Sequence, residues 1–532
     1  MMPAHFFPPL KLPACLLALL APVSLFAQSQ AGSPNQLNQS QSQPSVPTFH
    51  VTSTLVYLDV TVLDKKGNPV VSGLSKDDFH ITEDKIPQHI FSFDAPKVAE
   101  AGTGDYAENP QGRAPITVLV LDEINTSFSE MSYIRQELRK ALASGPEQLA
   151  APTELMVSGE NGLDLVQSLT QNRDEQIEAL VHLPAPVPWL STLPGFQWLM
   201  FGRSVDALQE IALQNRGVSG RKNVIWLGRG PGHVFFSPSA PSTLTGWDVR
   251  QLKQYAHAAT NMLVDSRMTL FVIYPPFGGN TPTLNQEEAS QLIGDTDPFS
   301  GDISFGLFVN ETGGKLYYDL NDIAQLIEKC ERLGSQYYTL TYQPARFTKD
   351  DFRRIRVTLK NPKLLALTKT GYFGPSGSSA PDPSLQFRIN LAEASVATIP
   401  FNAISVSVQS IRRRPDSQWI DIVLNLEDKH LVWEPADNGV SHATLLMAAV
   451  GLDDTGAIRT SHIERAQVST PIRDSSQRER IDSSLPITLR FPRSATHLRV
   501  VVEAMDGGRI GSVDLSHKEI EAAPLVPSRA AP

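Results

Sequence analysis

Between residues 49 and 95 apolar and polar positions alternate. Val51, Leu55, Tyr57 and Val60–Val62 lead into Asp64-Lys-Lys-Gly67 and then Val70-Val71, the pattern of two strands about a tight turn. Phe79-His-Ile81 and Ile90–Phe93 continue it as short strands, and together they make a β module too small to stand alone. After the polar stretch 99–115 the period changes. Ile116–Leu121 is an unbroken apolar run, as expected of a strand covered on both faces, and Ser129–Leu142 places Ile134, Leu138, Ala141 and Leu142 on one helical side. Strand signals at Leu155–Val157, Leu163–Leu169, Asn223–Leu227, Met268–Tyr274 and Lys315–Tyr318 alternate with helix signals at 174–181, 205–213, 248–264 and 323–333. Over residues 115–334 this alternation predicts an open, mostly parallel α/β sheet, with ligands at the carboxyl ends of its strands.

Strand-like runs return at Tyr337–Tyr342, Ile355–Leu359 and Leu364–Tyr372. Residues 335–373 and 49–95 are therefore expected to pair as one β-sandwich with the α/β domain inserted. Residues 374–384 read as a linker. Residues 385–518 hold repeated short strands separated by turns and no convincing helix, which predicts a C-terminal β-sandwich, with 519–532 as a tail. At the other end, one lysine precedes the apolar run Leu12–Ala27 and polar Gln28. Residues 1–27 thus read as a secretory signal peptide and 28–48, rich in Gln, Ser, Asn and Pro, as a disordered linker. The expected protein is secreted to the periplasm, outer surface or medium and keeps no transmembrane span after cleavage.

Composition narrows the classes. The 532 residues are 41% hydrophobic and 19% charged, enough apolar surface to fold. Forty-six Lys and Arg against 56 Asp and Glu give a net charge of −10 and no basic field, which excludes a nucleic-acid partner. Of two cysteines, Cys15 falls in the signal peptide, and Cys330 shares helical spacing with Ile323, Leu326, Ile327 and Leu333, so it reads as a core residue. His-Glu-x-x-His, Gly-x-Ser-x-Gly, a Walker loop and Cys-x-x-Cys are all missing.

An ordered set of short signatures carries a resemblance. They are Val60-Thr-Val-Leu-Asp64 to Asp77-Asp-Phe79 with Glu83-Asp84, and Val120-Leu-Asp122 with Asn125-Thr126. Then come Gly220-Arg-Lys-Asn223, Glu311-Thr-Gly-Gly314, Tyr337-Tyr-Thr-Leu340, Arg354-Ile-Arg-Val357 and Thr370-Gly-Tyr372. Across roughly Phe49–Phe373 the chain resembles the secreted bacterial von Willebrand factor type A-related (VWFA-related) proteins best known from Acidobacteria. The resemblance implies that this α/β domain is a doubly wound, mostly parallel, Rossmann-like type A domain that binds protein ligands through a metal-ion-dependent adhesion site. Oxygen ligands with open positions suit Mg²⁺, Mn²⁺ or Ca²⁺ there. By position Asp122 matches the first aspartate, Thr126 the second serine and Thr170 the loop threonine. Ile124 replaces the first serine, and Arg229 stands in Gly228-Arg-Gly230 where the last aspartate is expected. A fixed cation there repels a divalent metal. Asn125, Ser127 and Asp248 are the residues that could substitute.

The expected metal site is thus degenerate and vestigial, with no cofactor assigned and Mg or Ca the candidates if any binds. Asn125, Ser127 and Arg229 form the expected ligand-binding edge, and Arg229 could meet an acidic partner directly. The function implied is recognition of a protein or cell-surface ligand rather than catalysis. The alternatives are a hydrolase with a site at the carboxyl edge of the sheet, or a structural component of an envelope assembly.

Overall fold

The computed structural model describes residues 55–96, 115–186, 196–218, 220–231, 233–234, 246–275, 298–299, 303–317, 322–344, 352–373, 383–414, 419–427, 431–436, 440–471, 482–492, 494–505 and 507–525. The expected signal peptide 1–27, the linker 28–48 and residues 374–382 of the second linker lie outside them. Strands and helices are numbered in chain order.

Two antiparallel sheets are built from both ends of the first 373 residues. β1 (Val56–Leu63) runs between β13 (Tyr338–Tyr342) and β15 (Leu365–Leu367), with β4 (Ile90–Asp94) beyond β13. The register Val56↔Tyr342 to Val60↔Tyr338 joins the two ends directly. The second sheet orders β16 (Gly371–Phe373), β14 (Phe352–Leu359), β2 (Phe79–Glu83) and β3 (Ile86–Gln88). Inward-facing Leu58, Val60, Phe79, Ile81, Tyr338, Leu340 and Ile355 fill one core between them. The Glu83 carboxylate is buried there. It accepts from Tyr342 Oη at 2.6 Å, Tyr372 Oη at 3.0 Å and Arg353 Nη1 at 3.0 Å, so a single anion ties four strands together.

Between these halves lies a mixed sheet. β12 (Leu316–Tyr317), β10 (Met268–Ile273), β8 (Lys222–Leu227), β5 (Ile116–Asp122) and β6 (Gln148–Gly159) are parallel in that order, and β7 (Gly162–Asn172) closes the edge antiparallel to β6. One face of the sheet packs α1 (Phe128–Ser144), α2 (Arg173–His182) and α6 (Ile323–Ser335). The other packs α3 (Phe196–Gln214), α4 (Gly246–Asp265) and α5 (Phe305–Glu311). Every residue of β5, β8 and β10 is buried, which is why these strands read as unbroken apolar runs. β9 (His233–Val234) and β11 (Ile303–Ser304) form a small ladder.

The C-terminal part begins with α7 (Pro383–Val396). One sheet holds β17 (Val406–Arg413), β18 (Trp419–Glu427) and β22 (Asp482–Arg490). The other holds β19 (Glu434–Ala436), β20 (Val440–Leu452), β21 (Ile458–Pro471), β23 (His497–Ala504) and β24 (Ile510–Ser516). Ile422, Leu424, Leu445, Met447, Val500 and Val502 contribute to the core they share. On the far face of β20 and β23, Ala448, Val450 and Val501 meet α7 and Leu213 of α3. A last helix, α8, spans His517–Ala522.

Several expectations are corrected. The fold class is not a doubly wound, mostly parallel α/β fold: strand accounts for 44% of the described residues against 29% helix, and five of the six sheets among them are antiparallel. The parallel ladders are confined to one sheet, itself mixed because Gly159 and Gly162 turn the chain back as a hairpin. Strands such as β2 and β18 alternate in burial and are content with one covered face, the condition for antiparallel pairing. Residues 383–396 are helical where linker and sandwich were expected, and 517–522 are helical where a tail was expected to start. No helix among the described residues is long and apolar enough to cross a membrane.

Candidate functional site

β5 ends at Asp122, the last position of a strand buried on both faces, so the sheet itself carries a carboxylate to its carboxyl edge. β8 ends one strand away and continues as Gly228-Arg229-Gly230. Gly228 lies at φ +148°, and a Cβ there would fall 2.5 Å from Asp122 Cβ and 2.5 Å from Thr126 Oγ1. Only glycine lets the loop lie this close to the carboxylate. Gly230, at φ +64°, rests against the Phe305 ring.

Asp122 is fully buried. Its Oδ1 accepts from Asn125 Nδ2 at 2.7 Å and Asn125 N at 3.2 Å, and its Oδ2 accepts from Gly230 N at 2.7 Å. Burial pushes its carboxyl up to about 6, against the opposing pull of the Trp226 indole and the Asn125 and Gly230 donors. Thr126 Oγ1 accepts from Arg229 N at 3.1 Å. Arg229 folds back onto Glu130: its Nε lies 3.0 Å from each carboxylate oxygen and Nη2 also donates to Oε1. Ser127 is the N-cap of α1 and completes a capping box, with Ser127 Oγ 2.8 Å and Ser127 N 3.2 Å from Glu130 Oε2. Burial raises Glu130, but the Arg229 guanidinium and the Ser127 donors outweigh it and hold the carboxyl below its usual range.

A divalent cation does not fit these residues. Mg²⁺ or Ca²⁺ needs oxygen lone pairs facing one open point. Here the Asp122 oxygens and the Thr126 hydroxyl face N–H donors, and the neighbouring cation is a guanidinium already matched to Glu130. Among the described residues no group of three or more His, Cys, Asp or Glu gathers in a way that could hold a metal.

The expected site residues do not all meet. Asp122, Asn125, Thr126, Ser127 and Arg229 converge at this rim. Thr170 does not: β7 places it opposite Thr153, which is itself level with Thr117. That is five residues back along β5 from Asp122, or about 16 Å. The Thr170 hydroxyl accepts from Asn172 N at 3.0 Å instead. The antiparallel course of β7, not visible in the order of elements, sends it to the wrong end of the sheet. Ile124 is buried and only its backbone N–H takes part, donating to Ser158 O at 3.1 Å. Arg229 is spent on Glu130, which corrects the expectation that it meets an acidic partner directly. The Asp248 side chain lies outside the described residues. Asn125 Nδ2 also reaches Ser204 Oγ of α3 at 2.9 Å, pinning the rim to the opposite helix layer.

Glu130 is the residue missed by sequence reasoning. Its signal was present in Ser127-Phe-Ser-Glu130, a serine followed three residues later by glutamate. Beside it, Phe128 is 47% exposed at the first position of α1, and Glu123 pairs with Arg135.

No protein-family model matches the chain, and no curated protein matches it. Among solved structures it is similar over part of its length to proximal thread matrix protein 1 of the mussel byssus. The TM-score is 0.20 at 10% identity over 30% of this chain and 38% of that one. It is likewise similar to the human COPII-coat protein Sec24c, with a TM-score of 0.23 at 10% identity over 52% of this chain and 46% of that one. The chain thus spans less than half the length of either structure.

Proposed function

We propose that the chain is an interaction protein that recognises a protein or surface ligand without a metal ion, through the rim formed by Asn125–Ser129 and Gly228–Gly230. The resemblance to VWFA-related secreted proteins enters this proposal at the level of these loop residues. The observation that carries it is the self-neutralised rim: Asp122 is saturated by N–H donors and Arg229 by Glu130. A catalytic carboxylate must be able to reach a substrate, and a metal-binding one must offer free lone pairs. These do neither. What the rim presents outward is Phe128, an apolar anchor of the kind that dominates recognition surfaces, set in a rigid polar surround.

The test places the photo-reactive p-benzoylphenylalanine at Phe128, and as a control at Val181, which is 54% exposed on α2, in cells that produce the protein. One discrete cross-linked species is expected from position 128 and not 181, and in equal yield with and without EDTA. Equal cross-linking from both positions removes the recognition surface. Loss with EDTA removes its metal independence.

A further inference from the structure

The junction between the mixed sheet and the C-terminal sheets buries three carboxyls that each carry an unpartnered oxygen among the described residues. Leu213 of α3, Leu391 and Ala394 of α7, Phe401, and Val501 of β23 close an apolar wall across it. Inside that wall Glu503 of β23 is fully buried. Its Oε1 accepts from Asn390 Nδ2 at 2.8 Å, and its Oε2 is buried with no hydrogen-bond partner. Glu154 of β6 accepts from Gln214 Nε2 at 3.1 Å through one oxygen and leaves the other buried and unpartnered. Glu393 of α7 likewise buries Oε2 without a partner.

Glu210 of α3 raises a proton-counting problem. Its Oε2 lies 2.8 Å from Thr398 Oγ1, which lies 2.8 Å from Leu163 O and already accepts from Leu163 N at 3.0 Å. The Thr398 hydroxyl proton is shared between Leu163 O and Glu210 Oε2, so Glu210 receives it only in part. Thr398 N at 2.9 Å and Ile399 N at 3.3 Å complete its partners.

The charged groups facing these acids do not offset them. Arg216, whose Nη1 donates to Asn390 Oδ1 at 2.8 Å, acts on Glu393, Glu503 and Asp265. Asp206, bonded to Tyr255, opposes the ionisation of Glu210 and Glu393. Arg509 packs against Gly217, and Arg509 and Arg267 both act on Lys222. Buried carboxyls in this setting favour their neutral form.

We propose that this junction is a proton-dependent latch. With Glu154, Glu210, Glu393 and Glu503 protonated the C-terminal sheets are docked on the mixed sheet, and loss of those protons releases them. Burial, the dominant cause in each case, pushes Glu154, Glu210 and Glu393 up to about 7 and Glu503 up to about 8. The docked state therefore binds more protons than the open one. Docking is complete below the ordinary glutamate value and weakens as pH rises through about 7 to 8. Lys222, pushed down to about 7 by burial, titrates in the opposite sense, so the glutamate variants rather than the wild-type slope decide the matter.

The experiment follows the full chain by small-angle scattering and calorimetry from about pH 5 to 8.5, across the range these groups titrate. Wild type, Glu503→Gln, Glu210→Gln and their double variant are compared, with exposed Glu160→Gln as control. The wild type and control are expected to gain in radius of gyration and lose transition temperature as pH rises, while the double variant, which keeps Glu154 and Glu393, shows a clearly weaker dependence. A wild type of constant dimensions, or amide variants that keep the wild-type midpoint, overturns the latch. Should Glu503→Gln fail to fold, Glu393→Gln repeats the test, and an unshifted midpoint there overturns it equally.

Discussion

Asp122 combines a buried carboxyl, three N–H donors and a glycine pressed against its Cβ, so its surroundings leave no slack for a bulkier loop. Gly228→Ala tests this. The added methyl would sit 2.5 Å from two heavy atoms at a φ that other residues rarely adopt, and the expected cost is about 2–4 kcal/mol. Urea denaturation reads it as a lower midpoint at unchanged slope; a midpoint equal to wild type would show that the loop yields freely. The same residues mark what was legible. Asp122 could be placed because an unbroken apolar run ends there, and Arg229 because another does so two residues before it. Their mutual indifference could not be read, because the partner that claims Arg229 is Glu130, eight residues beyond Asp122 along the chain and brought back only by the turn into α1.

Among the elements, α6 shows how closely helix and sheet approach. Ile323, Leu326, Ile327, Cys330 and Leu333 form its buried stripe, and the Cys330 thiol is fully buried and pushed well up, an inert packing group. Gly334 ends that stripe against Asn223 of β8, where any Cβ would overlap the amide side chain. Gly334→Ala is expected to lose about 1–3 kcal/mol through overpacking despite alanine's better helix propensity, seen as a fall in thermal midpoint. A rise would show that the helix can slide.

The stripe of α6 is easily read from sequence; that of α7 is not. Asn390 and Ser395 are fully buried within it, and each is satisfied by tertiary or helical partners, Glu503 and Leu391 O. Buried polar residues break the apolar period on which sequence reading depends. β21 escaped for the converse reason: with Arg459, His462, Glu464 and Arg465 along it, a strand paired to β20 reads as loop.

For the molecule as a whole, most strands among the described residues belong to antiparallel sheets outside the mixed one. This is why the unbroken apolar runs of the mixed sheet gave a misleading impression of the class. Glu83 is the test of how firmly the two ends are joined. Glu83→Ala leaves the Tyr342 and Tyr372 hydroxyls and the Arg353 cation without their shared acceptor, and removing one member of such a buried pair costs about 3–5 kcal/mol. Hydrogen exchange is expected to accelerate together in residues 56–63 and 338–342. Acceleration confined to one of the two segments would mean that the ends are not one cooperative unit.

The pairing of β1 with β13 also fixes an order of events during synthesis. Asp59 and Thr339, which hydrogen-bond across the ladder, are 280 residues apart. At about 5–20 residues per second, β1 waits on the order of a quarter of a minute to a minute for its neighbour to be made. Throughout that interval Val56–Leu63 is a largely apolar strand with both edges unsatisfied, the kind of segment that recruits the wrong chain. The mixed sheet, whose strands all lie between the two, is complete before β1 can pair. A nascent chain of this design therefore carries its first strand unpaired until residue 342 has emerged, and other copies of itself are the neighbours it must avoid meanwhile.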